Sequence, residues 1–185
     1  MSPQREALPL FSFQLEKSGK AMVQFCSDEQ SAKFQLTNVS NPLNDLLKGM
    51  ASLIFEPSHL WGEENYCYID WYCEETSYKW ALSTEDGVML DVKIMYASDL
   101  FDESSTVTMV DCRCNFLDFY LAIVRELDFF IKQTGLLNYE QKWQKDEFPI
   151  TYLLLMKKYL IDKGHWIPNS RNNGTLSDEL ILLLA

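Results

Sequence analysis

The sequence predicts an α+β fold: an antiparallel sheet of about six to seven strands with helices packed on one face, in the order β-β-β-α-β-β-β-β-α-α-α. Three observations lead there. Residues alternate with period two in short runs before residue 38 and again between residues 65 and 115. A run of helical period, opened by Asn41-Pro42, separates the two groups. From Asn115 onward the period is helical. Strands grouped first and helices grouped last, without βαβ alternation, describe α+β. A length of 185 residues is enough for one domain with a sizeable core, taken as residues 1–185.

Residues 1–9 are polar with two prolines and read as a loose lead-in. Phe11, Phe13 and Leu15 alternate with Ser12, Gln14 and Glu16 as a strand. Lys17-Ser18-Gly19-Lys20 is a turn, Met22–Cys26 the return strand and Ser27–Ser31 a second turn. Lys33–Thr37 is a third strand with Phe34 and Leu36 on one face. Asn41 then caps a helix that Pro42 starts, with Leu43, Leu46, Leu47, Met50, Leu53 and Ile54 on its apolar stripe. Asp45 suits the helix dipole and Pro57 stops the helix.

Residues 56–64 connect to the segment densest in aromatics and acids. In Tyr66–Glu74, Cys67, Ile69, Trp71 and Cys73 form one face, and Tyr66, Tyr68, Asp70, Tyr72 and Glu74 the other. Glu75-Thr76-Ser77 reads as a hairpin loop. Tyr78, Trp80 and Leu82 continue the apolar face, with Trp71 and Trp80 as core against the flanking helices. Glu85-Asp86-Gly87 contains an Asp-Gly hairpin signal, and Val88–Tyr96 is the next strand. Asp99–Ser105 is an acidic loop and Thr106–Cys114 the last strand. The four strands have one apolar face and one mixed face.

Asn115 caps a helix over Phe116–Gln133, stopped by Gly135. Asn138–Lys145 is a short helix, and Pro149 starts another that ends near Lys163-Gly164. Residues 168–185 are a C-terminal linker, Pro168–Gly174, followed by an apolar tail, Leu180–Ala185, of short-helix character.

Composition narrows the function. A hydrophobic fraction of 47% with 23% charged residues describes a globular chain and not a disordered one. The net charge of −11 is confined to residues 41–112, which hold 14 acids against Lys48, Lys79 and Lys93; elsewhere 13 acids and 13 bases cancel. Such a field repels nucleic acid and anionic membranes and attracts basic partners. No apolar run reaches the length of a signal peptide or a membrane span, so a cytoplasmic chain with reduced thiols is expected.

No catalytic, cofactor or metal site is expected. The two histidines, His59 and His165, have no partner at ligand spacing. Cys67 and Cys73 are six residues apart on one strand face, and Cys112 and Cys114 two apart; neither pair has the turn that a zinc site places between thiols. Buried apolar cysteines account for them. Glu74, Glu75, Asp99, Asp102 and Glu103 are loop acids, without the contrast in solvation that an acid–base pair needs. Gly-rich phosphate loops and the nucleophile elbow are absent. What remains is the mixed strand face, where tyrosines supply contact area and acids supply steering.

Several segments carry a wider resemblance across residues 11–133. An opening hairpin leads to the helix start Asn41-Pro42-Leu43 with Leu46 and Leu47. The acidic turn Glu75-Thr76-Ser77 precedes Tyr78, Trp80 and Leu82, and an Asp-Gly turn precedes Val88, Leu90 and Val92. A long helix follows the last strand. This combination resembles the small acidic bacterial immunity proteins encoded beside polymorphic or contact-dependent toxins. Thr76-Ser77 departs from that pattern, which has Pro-Gly there. The resemblance implies an antitoxin, not an enzyme, that binds a cognate toxin and blocks its active site. Toxic nucleases are basic, and an acidic binder mimics their substrate's charge. The expected partner contacts are Asp70, Tyr72, Glu74, Glu75, Asp99, Asp102 and Glu103. Two other readings stand beside it. One is an enzyme or small-ligand protein using a sheet–helix cleft, with a desolvated acid beside His59 or Trp61. The other is a self-associating module using the apolar tail Leu180–Leu184.

Overall fold

The structure, a computed structural model, describes residues 9–16, 18–27, 30–55, 57–167 and 174–184; for residues 58, 59, 103 and 181–184 it describes the backbone alone. The expected lead-in over residues 1–8 and linker over residues 168–173 lie outside the described residues, as do Lys17 and residues 28–29 of the first two turns.

Leu10–Leu15 (β1), Lys20–Ser27 (β2) and Gln30–Thr37 (β3) pair antiparallel in that order. Strict alternation puts Phe13, Val23, Phe25, Phe34 and Leu36 on one buried face and Gln24, Lys33 and Gln35 in solvent. The turn into β2 holds Ser18 and Gly19 at φ 60° and 69°.

Pro42–Phe55 forms α1. Asn41 caps it as expected: its Oδ1 accepts the Asn44 N–H at 3.3 Å, and its carbonyl accepts the Asp45 N–H at 2.9 Å. The other end is closed from a distance, where the buried Asn65 amide donates to the Leu53 carbonyl at 2.8 Å. A 3-10 turn, Ser58–Trp61, leads on to the next strand.

Asn65–Cys73 (β4), Thr76–Thr84 (β5), Met89–Ala97 (β6) and Thr106–Asn115 (β7) make a second antiparallel sheet, again in chain order. Two turns differ from expectation. The β4–β5 loop is Glu74-Glu75, because Cys73 already pairs with Thr76 and Tyr72 with Ser77. Thr76 and Ser77 are therefore strand residues, and Glu74 leaves the strand at a φ of 24°. The β5–β6 connection is also wider than an Asp-Gly hairpin, and Val88 is outside the strand. The Asp86 carboxylate accepts the N–H groups of Val88 and Met89 at 2.8 and 2.9 Å, so a side chain organises this loop.

The two groups of strands are two sheets, not the single sheet of six to seven strands that the pattern suggests. β3 crosses the second sheet instead of extending it. Gln30 at its start bonds to Asp111 of β7, while near its end the Gln35 carbonyl accepts from the Cys73 thiol of β4 at 3.7 Å. Between these points Phe34 lies 5.0 Å from the Tyr78 ring, 5.8 Å from Trp80 and 6.0 Å from Trp71. The physical reason is ring burial. A single open sheet leaves Trp71 and Trp80 to be covered by helices alone, whereas folding the first sheet across the second places Phe25 and Phe34 in the same core. Trp71 does meet α1, donating its indole N–H to the Pro42 carbonyl at 3.0 Å.

Phe116–Thr134 is α2, capped by Asn115 Oδ1 on the N–H groups of Leu117 and Asp118, and ended by Gly135 at φ 79°. Its buried face includes Phe119, Ile123, Val124, Leu127 and Ile131. The Tyr120 hydroxyl donates to the Met50 carbonyl at 2.5 Å and ties α2 to α1. Leu136–Trp143 (α3), Ile150–Asp162 (α4) and Thr175–Leu184 (α5) follow, one helix more than the three expected after the strands. The apolar tail belongs to α5, which packs on α2. Glu179 of α5 accepts the N–H groups of Leu136 and Leu137 at 2.6 and 3.1 Å, serving as the cap that α3 lacks in its own sequence. Among the described residues, no helix is long and apolar enough to cross a membrane.

Candidate partner-binding surface

The inner face of the second sheet is core, and its outer face is bare. Cross-strand pairing arranges the outer face in rungs: Tyr66–Ser83–Asp91–Arg113, Tyr68–Ala81–Lys93–Asp111, Asp70–Lys79–Met95–Thr108 and Tyr72–Ser77–Ala97–Thr106. Tyr66, Tyr68 and Tyr72 form an exposed column on β4, with the first two rings 5.6 Å apart. Three rungs carry an ion pair between neighbouring strands: Lys79 with Asp70 at 3.6 Å, Lys93 with Asp111 at 3.5 Å and Arg113 with Asp91 at 3.7 Å. Each is solvent-exposed and contributes well under about 1 kcal/mol. Their electrostatic effect is larger than their energetic one: three acids meet three bases, so the field of the face itself cancels.

The uncancelled acids sit at the two ends of the sheet. The β4–β5 turn with Glu74 and Glu75 and the β6–β7 loop with Asp99 and Asp102 share one end. Glu63 and Glu64 before β4 and Glu85 and Asp86 after β5 share the other. The β6–β7 loop is internally bonded. The Asp99 carboxylate accepts the Phe101 N–H at 2.8 Å, and Asp102 accepts the Ser104 N–H and hydroxyl at 2.9 and 2.7 Å. The Ser104 hydroxyl, then its N–H, holds the Asp102 carboxyl below the usual carboxylate range. Phe101 stands 98% exposed at the loop tip, a large ring kept in water between two acids.

That loop overhangs the outer face and makes a cleft of about 310 Å³. Asp70, Tyr72, Asp99 and Asp102 all line it, so four of the residues singled out in the sequence are brought together. Met95, Ala97 and Leu100 add apolar surface to its lining, and Ser77, Lys79 and Thr106 add polar groups. Glu74 and Glu75 do not line the cleft; they are exposed in the neighbouring turn. The Glu103 side chain lies outside the described residues. Leu100 and Phe101 escaped the sequence reading, although two apolar residues inside a run of acids and serines are the signal that marks them.

Elsewhere the surface offers little chemistry. Among the described residues, no group of three His, Cys, Asp or Glu is placed to hold a metal. Burial pushes the Cys67 thiol up to about 12, with Ser52 opposing, and Cys73 is raised for the same reason, so both stay protonated at neutral pH. His165 is exposed, and the His59 side chain lies outside the described residues. Trp61 is 84% exposed.

Compared with known proteins, the chain matches no family model, no curated protein and no solved structure.

Proposed function

We propose that the protein is an immunity protein of the bacterial cytoplasm, which binds a cognate basic toxin domain such as a nuclease and covers its active site. The observation that carries this reading is the cleft at one end of the second sheet, where Asp70, Tyr72, Asp99 and Asp102 converge beside an exposed phenylalanine. The acids there give steering toward a positive surface, and Phe101, Leu100 and Tyr72 give the ring and aliphatic area from which interface hot spots are made. The ion pairs silence the middle of the face and leave the attraction to the acids at its ends, Asp99 and Asp102 among them. The reading needs no catalytic group, cofactor or metal.

Co-expression with the protein encoded by the neighbouring gene tests it. A complex that survives size-exclusion chromatography at low salt and weakens as salt rises is the expected result. Reversing both loop charges, Asp99→Lys with Asp102→Lys, is expected to weaken the complex at least tenfold, mainly through slower association. Absence of a complex at low salt removes the main support.

A further inference from the structure

Each edge of the second sheet is engaged at one residue by a side chain from outside the sheet. On β7, Gln30 bonds both main-chain groups of Asp111. On β4, the Ser40 hydroxyl lies 3.2 Å from both the N–H and the carbonyl of Tyr72. Those two groups therefore point away from β5. The β4–β5 pairing runs without a shift from Asn65 to Cys73, so the N–H and carbonyl groups of Asp70, Tyr68 and Tyr66 point the same way. Among the described residues, nothing bonds to them on that side. Such an edge is a template for another strand unless a protein blocks it. Here the block stops at Tyr72.

A groove of about 340 Å³ runs beside this open stretch, between β4 and the flank of α1 formed by Asp45, Lys48, Gly49 and Ser52. Gly49 keeps the helix close: a Cβ there would lie 2.7 Å from Ile69 Cγ1. The groove is thus a narrow slot next to the strand. In its lining Asp45 stands against Lys48 and Asp70 is engaged by Lys79, while Glu63 and Glu64, just before β4, carry negative charge at the start of the open edge.

We infer that the β4 edge from Tyr66 to Asp70 accepts one extended segment of a basic partner protein as an added strand. The segment's main chain bonds to Tyr66, Tyr68 and Asp70. Its side chains alternate between the tyrosine column on the outer face and the slot against α1. Cationic residues fall beside Glu63 and Glu64, the acids that precede β4. The inference rests on the proposed basic partner for the charge of the occupant, and on the open hydrogen-bonding groups for its shape.

The test uses the full chain, labelled with ¹⁵N, and a blocked hexapeptide of sequence Lys-Thr-Lys-Val-Lys-Thr, with Asp-Thr-Asp-Val-Asp-Thr as control. The basic peptide is expected to shift the amide resonances of Tyr66, Tyr68 and Asp70 and slow their hydrogen exchange, while Asp111, held by Gln30 on the opposite edge, does not move and the acidic peptide does nothing. Tyr68→Pro removes an outward N–H without touching the β4–β5 ladder and is expected to abolish the shifts. Absence of edge shifts in the natural chain overturns the inference, as do shifts that persist in a folded Tyr68→Pro variant. If that variant does not fold, protection of the three amides in the natural chain decides. The protein encoded by the neighbouring gene provides a separate arm: binding that leaves the three amides exchanging freely overturns edge docking and leaves the neutralising function standing. Peptide protection without any such complex does the opposite.

Discussion

Gln30 holds the main chain of Asp111 with both ends of its amide, donating to the carbonyl at 2.8 Å and accepting the N–H at 2.7 Å. The two residues are 81 positions apart, and this pair is one of the bolts that fix the crossing of the first sheet over the second. Gln30→Ala is expected to cost about 1 kcal/mol, the net worth of two exposed hydrogen bonds. Urea denaturation reads it. A loss below about 0.5 kcal/mol would mean that water replaces the glutamine at that edge.

Asp128 carries the other long-range polar link. It is largely buried on α2, with Lys132 at 2.7 Å and Lys157 of α4 at 2.6 Å. Lys157 also lies 4.9 Å from the centre of the Trp166 ring, so one carboxylate organises α2, α4 and the segment beyond. Asp128→Ala leaves two ammonium groups without their anion and is expected to cost about 3 kcal/mol or more. A double substitution, Asp128→Leu with Lys157→Met, is expected to recover part of that loss in the same denaturation assay, Lys132 being still without its anion.

Glu74 adopts a φ of 24°, a region that disfavours side chains with a Cβ. Glu74→Gly is expected to raise stability by about 0.5–1 kcal/mol, seen as a higher thermal midpoint. A fall in the midpoint would show that the side chain supports the turn in some other way.

Stability falls on the alkaline side. Cys67 ionises at 9.0 when unfolded and at about 12 when folded, because burial disfavours the thiolate. Tyr120, wholly buried, is likewise raised above its ordinary 10.0 by desolvation. Between these values the unfolded chain gives up protons that the folded chain keeps, so stability is full below pH 9 and declines as pH climbs toward 12. The limiting slope is about 1.4 kcal/mol per pH unit for each retained proton. Urea midpoints at stepped pH check this, and Cys67→Ala is expected to flatten the first part of the decline.

Glu179 reaches from α5 to cap α3. Glu179→Ala is expected to cost about 1 kcal/mol and to speed hydrogen exchange at Leu136 and Leu137 ahead of the rest of α3. Deleting residues 175–184 removes the same cap and bares the α2 surface that α5 covers, and sedimentation of that variant shows whether the bared surface self-associates.

Legibility follows the range of the interaction. Asn41-Pro42 and Asn115 announce their helices because a cap is made within three residues, and the structure has both. The alternation of Phe11, Val23, Phe34, Trp71 and Trp80 states which face is buried. It does not state what covers that face, because an alternating strand reads the same whether it extends a sheet or crosses one. That is why the pattern suggests one sheet where the chain forms two. The surface divides in the same way. Acids in turns are visible as acids, but the cancellation of Asp70, Asp91 and Asp111 depends on cross-strand register, which only the folded sheet sets. Leu100 and Phe101 become prominent through the closed shape of one loop.

The crossing of β3 over the second sheet also has a consequence in time. Residues 10–37 and residues 65–115 each form by successive hairpins between chain neighbours, which close within microseconds. Phe34 meets Trp71 and Trp80 only after more than thirty residues of intervening chain have been closed, including all of α1. Docking of the two meanders is therefore expected to be the slow step, and in stopped-flow refolding substitutions at Phe34 are expected to slow the rate more than substitutions within either hairpin.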